Sequence, residues 1–122
     1  MSIMEGFTKS GSLSQRNNNP LNLKFANQPY AVKKGVFAYF DTLEHGWQAC
    51  YRQIKIVVKG TSHAYNYEAE KQFSLANCGE MTLLQFISVF APKKDNNDPA
   101  KYTNFICGKL KVDPAFQMKQ FT

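Results

Sequence analysis

Val36-Phe37-Ala38-Tyr39-Phe40-Asp41-Thr42-Leu43-Glu44-His45-Gly46-Trp47 is the stretch in which the chain changes its period. Val36 to Phe40 is a short run of β-branched and aromatic residues and reads as a strand. Asp41-Thr42-Leu43-Glu44 then reads as a helix start, with Asp41 at the N-cap and Glu44 in the first turn. Leu43, Trp47, Cys50, Ile54 and Val57 follow at intervals of four, three, four and three, which is the period of one buried helix face. Gly60 is placed to end that helix, because glycine accepts the left-handed backbone of a C-terminal cap. Trp47 lies on the apolar face, so its large ring reads as core rather than as a platform for a sugar.

Upstream, Leu21-Asn22-Leu23-Lys24-Phe25 alternates apolar and polar residues, as a half-buried strand does. Asn27-Gln28-Pro29 is a turn, so the strands at 21–25 and 36–40 are expected to pair as a small ribbon. Two strands are marginal in water and have to lie against helices. Before the ribbon comes Arg16-Asn17-Asn18-Asn19-Pro20-Leu21-Asn22. Asparagine and proline build turns, which is the plainer reading of this segment. Amide side chains also carry donors and acceptors together, which suits a ligand rich in hydroxyls and amides such as a glycan. Residues 8–15 read as a loop. Ser2-Ile3-Met4-Glu5 has the spacing of a capping box, so Glu5 either closes a short first helix or serves as a functional acid.

Downstream, residues 61–80 show no clear period beyond a helical turn at Glu68-Ala69-Glu70-Lys71 and a closing Asn77-Cys78-Gly79, and loops this long are commonly functional or mobile. Thr82 caps a second helix carrying Leu83, Phe86, Ile87 and Phe90, which stops before Pro92. Residues 93–97 are a polar loop. Asp98-Pro99 starts a third helix whose apolar set is Tyr102, Phe105, Ile106 and Leu110, and residues 112–115 form a last short turn. The expected architecture is a mainly α domain of the α+β kind, residues 1–122, with three to five helices and a two- or three-stranded β-element.

The 122 residues are 43% hydrophobic and 20% charged, the balance of a globular chain with a single core. No apolar run is long enough to span a bilayer, and the first residues lack the basic and apolar regions of a signal peptide. Cys50, Cys78 and Cys107 have no CxxC spacing, so they read as reduced core residues rather than as disulfides or metal ligands. His45 and His63 have no partner visible in the sequence and read as surface residues. The net charge of +6 and pI near 9.3 call for an anionic partner or setting. Basic residues are scattered, as Lys33-Lys34, Lys93-Lys94 and Lys109 with Lys111, which argues against a dedicated nucleic-acid arm.

Several of these pieces, in this order, resemble the small lysozyme-like or transglycosylase-like domains of bacteriophage lysis and virion proteins. They are Glu5-Gly6-Phe7, then Gly11 to Leu23 with Arg16-Asn17-Asn18-Asn19-Pro20, then Phe37 to Trp47, then Thr82 to Pro92 with Phe86-Ile87 and Ala91-Pro92, and finally Leu110 to Pro114. Together they cover most of the chain apart from 61–80. Leu21 stands where the family has glycine.

The resemblance implies a lysozyme-like fold that cleaves the glycan strand of peptidoglycan, with Glu5 as the general acid. An acid in this role must keep its proton at neutral pH, which takes apolar surroundings; Phe7 is the nearest such group in sequence. Two-acid hydrolysis needs a second carboxylate, and none is evident near the ribbon, since Asp41 and Glu44 are accounted for by the helix start. That favours a transglycosylase-like route with one acid and help from the substrate's own groups, or else a water held by amides. Gln15, Asn17, Asn18, Asn19 and Asn22 would hold N-acetyl and hydroxyl groups. Arg16 would meet a peptide carboxylate or form a structural ion pair, and Tyr39 and Tyr102 would stack on sugar faces or pack. No metal or cofactor is implied. The expected partner is peptidoglycan or another anionic glycan polymer, reached from the cytoplasm through a virion, a holin or a secretion system. The alternative is a non-catalytic glycan-binding or virion structural protein on the same fold.

Overall fold

The computed structural model describes residues 17–19, 21, 23–91 and 98–121. Four α-helices and one two-stranded antiparallel sheet make the described part mainly helical with a small β-element. The described residues divide into two compact units, one ending at Ile54 and the other beginning at Lys55.

The N-terminal unit is built on a hairpin of β1 (Ala31–Lys34) and β2 (Phe37–Phe40), in the register Ala31↔Phe40, Val32↔Tyr39, Lys33↔Ala38 and Lys34↔Phe37. Gly35 and Val36 form its two-residue loop, and Gly35 has φ +64, matching a tight hairpin turn with glycine first. Ala38 and Phe40 point inward and are fully buried, while Phe37 and Tyr39 on the opposite face are half-buried. The expected pairing of 21–25 with 36–40 survives as a short bridge on the other edge of β2. Lys24 pairs with Phe37, Ala38 N–H donates to Leu23 O at 2.9 Å, and Phe25 N–H donates to Val36 O at 3.0 Å. The longer partner of β2 is Ala31–Lys34, which carries no alternating apolar signal because three of its four residues are exposed.

The helix that follows, α1 (Leu43–Val58), buries Gly46, Ala49, Cys50, Ile54 and Val57. Trp47 and Leu43 are half-buried. Thr42, not Asp41, caps the helix: its Oγ1 accepts from His45 N–H at 3.1 Å, which leaves the Asp41 carboxylate for another partner. At the far end Gly60 N–H donates to Val57 O at 3.0 Å and Thr61 N–H to Ile56 O at 2.8 Å, the two bonds of a Schellman motif with Gly60 in the left-handed position, φ +76. A Cβ on Gly60 would lie 2.6 Å from Asn77 Oδ1, whereas a Cβ on Gly35 would meet nothing. Gly35→Ala should therefore cost about 1–2 kcal/mol from the left-handed backbone alone. Gly60→Ala should cost more, and the difference between the two in urea unfolding isolates the clash with Asn77.

In the C-terminal unit, α2 (His63–Phe73) occupies most of the stretch expected to be a loop. Ser62 caps it by accepting from Tyr65 N–H, and Ser74 ends it in the left-handed conformation at φ 56. Only Tyr65 and Ala69 of this helix are buried, and two inward positions are too few to announce a period. Asn66 ties the region together, donating to Gly60 O at 3.1 Å and accepting from Cys78 N–H at 2.8 Å. A 3-10 turn, Cys78–Glu80, leads to α3 (Leu83–Phe90), which opens on a reciprocal box: Gln85 N–H donates to Thr82 Oγ1, and Thr82 N–H to Gln85 Oε1.

Asp98 and Pro99 start α4 (Pro99–Leu110) as expected, with Asp98 Oδ1 accepting from Lys101 N–H at 3.0 Å. Its inward set is Thr103, Ile106, Cys107 and Leu110. Phe105, expected in the core, is 55% exposed with Lys109 Nζ 4.9 Å from its ring centre. Thr103 takes the inward place because its hydroxyl donates to Pro99 O at 2.6 Å and so enters the core with its polar atom satisfied. Met81, Leu83, Phe86, Ile87, Ile106 and Met118 are fully buried and form the core of this unit. Tyr65, Phe86, Phe90 and Tyr102 form an aromatic chain, tilted at its first contact and edge-on at the next two, with centroid separations of 5.2, 5.4 and 6.0 Å. After a turn at residues 114–115, a 3-10 turn at Met118–Gln120 closes the chain, with Met118 N–H donating to Met81 O. The cysteines are free and buried, and burial raises all three thiol pKa values.

Candidate functional site

The asparagine turn belongs to the N-terminal unit and lies against β2. Asn19 is 0% exposed. Its Nδ2 donates to Leu23 O at 2.9 Å and to Ala38 O at 3.0 Å, and its Oδ1 accepts from Leu23 N–H at 2.8 Å. Both ends of this amide are engaged, so Asn19 clasps the turn to the strand; the expectation that it meets a sugar is corrected. Asn18 is half-buried, adopts the left-handed backbone at φ 51 that asparagine tolerates, and donates from Nδ2 to Phe40 O at 2.8 Å. Leu21 is buried beneath the turn at 1% exposure. The turn therefore has an apolar underside and is fastened to β2 at Ala38 and Phe40. Asn17, half-buried, precedes this clasp.

Tyr39 shares β2 with these contacts but faces the other side of the sheet, opposite Val32 and with Lys34 Nζ 5.4 Å from its ring centre. Tyr102 belongs to the C-terminal unit, where it packs edge-on against Phe90. Glu5, Gln15, Arg16 and Asn22 lie outside the described residues.

Beside the turn is a cluster that the sequence reading missed. His45 is not a surface residue without partners. Its Nδ1 meets Asp41 Oδ1 at 2.5 Å, and its ring stacks on Tyr30 with centroids 3.7 Å apart and planes within 2°. An ionised carboxylate only accepts, so Nδ1 carries the proton in this contact. The four-residue spacing of Asp41 and His45 across the start of α1 is a signal for the pair. Nothing in the sequence marks Tyr30, which holds φ +64. That backbone is disfavoured for a bulky side chain by about 1–2 kcal/mol, and the stack offsets part of it, on the order of 1 kcal/mol.

The His45 hydrogen bond holds the Asp41 carboxyl below its ordinary value, and the charge of the ring acts in the same direction. Whatever stability the contact contributes is therefore present above the ordinary carboxylate pKa and is lost as pH falls through the lower folded value. His45→Phe, which keeps a ring for Tyr30 to stack on but removes the nitrogen that meets Asp41, should return the Asp41 titration upward to the ordinary range in a carbon-detected NMR titration, with little change in unfolding temperature because Asp41 is exposed.

Among the described residues no three His, Cys, Asp or Glu side chains gather in a way that would hold a metal ion, and no helix is long and apolar enough to cross a membrane. No family model, curated protein or solved structure matches this chain.

Proposed function

We propose that this chain is a lysozyme-like domain that binds the glycan strand of peptidoglycan and cleaves it with Glu5 as the single general acid. The observation that supports the reading is the asparagine turn fastened to β2 by Asn18 and Asn19, because it gives the described residues 17–19 and 21 a defined place on the strand instead of leaving them in a solvated loop. Fixing the turn removes the ordering entropy that a mobile loop would lose on binding a polymer. Asn17, Asn18 and Asn22, with Gln15 and Arg16, then supply amide and guanidinium groups for N-acetyl, hydroxyl and peptide carboxylate groups. The net charge of +6 favours the anionic wall at encounter.

Asp41, the acidic residue next to the turn, is engaged with His45. This is consistent with a route that relies on one acid and on assistance from the substrate's own groups, in place of a carboxylate pair. The test is incubation of purified sacculi with the folded protein, read by loss of turbidity and by soluble fragments. Clearing with fragments released supports cleavage. Protein retained on intact sacculi replaces it with the glycan-binding alternative, and protein left in solution over intact sacculi overturns both.

A further inference from the structure

We propose that the β1–β2 hairpin is a docking surface for an anionic lipid bilayer, an interaction that does not rest on the glycan reading. The sequence from Gly6 to Phe40 contains no aspartate or glutamate, while Lys9, Arg16, Lys24, Lys33 and Lys34 fall within it. Of these, Lys24, Lys33 and Lys34 are on the described hairpin or its flanking bridge, and all three are exposed.

The same hairpin displays apolar side chains outward. Tyr30, Val32 and Val36 are 63%, 63% and 61% exposed, three large apolar groups within seven residues. Scattered single hydrophobic residues on a surface call for no explanation, but a cluster set among lysines does; the Asp41 carboxylate beside the base of the hairpin is engaged with His45. Val32 stands directly across from Tyr39, and Lys34 lies over the Tyr39 ring, so this sheet face combines aliphatic, aromatic and ammonium groups. Its opposite face carries the buried Ala38 and Phe40 and belongs to the core.

The chemistry selects the occupant. A soluble polyanion is met by cations and takes nothing from two exposed valines. An anionic bilayer takes both, with lysines at the phosphate level and valine and tyrosine side chains entering the headgroup–acyl boundary. The tight Gly35-Val36 loop keeps the tip narrow, and the Tyr30–His45 stack fixes the base of the hairpin. The hairpin would lie on the surface and not cross it.

The test is sedimentation of the full chain with vesicles of phosphatidylcholine alone or mixed with phosphatidylglycerol. Binding is expected to the mixed vesicles only and to weaken as salt is raised. Lys24 and Lys34 both stand across from Phe37, on the face that carries Val32 and Tyr39; each lysine near such a surface strengthens binding about five-fold, so Lys24→Ala with Lys34→Ala should weaken it about thirty-fold. Val32→Ser with Val36→Ser, at exposed positions where folding is not at risk, should weaken it by about ten-fold or more at unchanged charge. Failure of the parent to sediment with either vesicle overturns the proposal. So does equal binding by the valine variant with full competition by soluble polyphosphate, which would leave a plain polyanion surface. Unchanged binding by the lysine variant also overturns it and leaves those lysines as guards against edge-to-edge strand pairing.

Discussion

Replacing Asn19 with aspartate is expected to destabilise the N-terminal unit at least as much as replacing it with alanine, although aspartate has nearly the same shape. Asn19→Ala leaves Leu23 N–H buried without its acceptor and Ala38 O without the Asn19 donor, while Leu23 O keeps Ala38 N–H. Unmet buried backbone groups of this kind cost about 1–3 kcal/mol each, giving a loss on the order of 3 kcal/mol. Asn19→Asp keeps the acceptor for Leu23 N–H but sets a carboxylate oxygen against two carbonyl oxygens in a site with no solvent access. The folded state can hold that side chain only protonated, so its folded pKa lies above its unfolded one, and the folded state binds the extra proton. Stability of the aspartate variant should then rise as pH falls through the folded pKa towards the unfolded one, the opposite of the Asp41 case. Urea unfolding followed by the fluorescence of Trp47, the one tryptophan in the chain, reads this directly. Equal stability of parent and aspartate variant at neutral pH would show that the amide is not the clasp described.

The second large effect is on activity. Glu5→Gln removes the transferable proton while preserving size and a hydrogen-bonding end group. A positioned general acid typically contributes 10²–10⁴ in rate, so clearing of sacculi should fall by about that factor. Retention on sacculi should persist, because the binding groups assigned to the asparagine segment are untouched. The urea midpoint should stay near that of the parent; a large drop would mean that Glu5 acts through the capping-box contact that Ser2-Ile3-Met4-Glu5 also allows.

Elements with a strong inward stripe or an explicit cap were readable from the residues. α1, α3 and α4 fall where the spacing of Cys50, Ile54 and Val57, the Thr82 cap and the Asp98-Pro99 start place them. What escaped has a common cause: the contacts lie off the helix or strand that would announce them. α2 presents only Tyr65 and Ala69 to the core, and β1 is almost wholly exposed, so neither writes a period into the sequence. Phe105 was expected inside because it is apolar, but Thr103 satisfies its own hydroxyl within the helix and takes the buried place. At the candidate site, the clustering of asparagines marked a turn. Which of them faces inward depends on Leu23 and Ala38, the latter nineteen residues away, and this is beyond any local pattern. The Tyr30 stack is hidden for the same reason, whereas the Asp41–His45 pair sits at a helical spacing that can be read directly.

Mass spectrometry of the soluble fraction after purified peptidoglycan is incubated with the parent and, in parallel, with Glu5→Gln addresses the central claim most directly. Muropeptide fragments are expected from the parent, with anhydro ends if one acid and the substrate's own groups suffice, and none from the variant at matched protein retained on the polymer. Identical fragments from both proteins, or intact polymer from both, would contradict that claim.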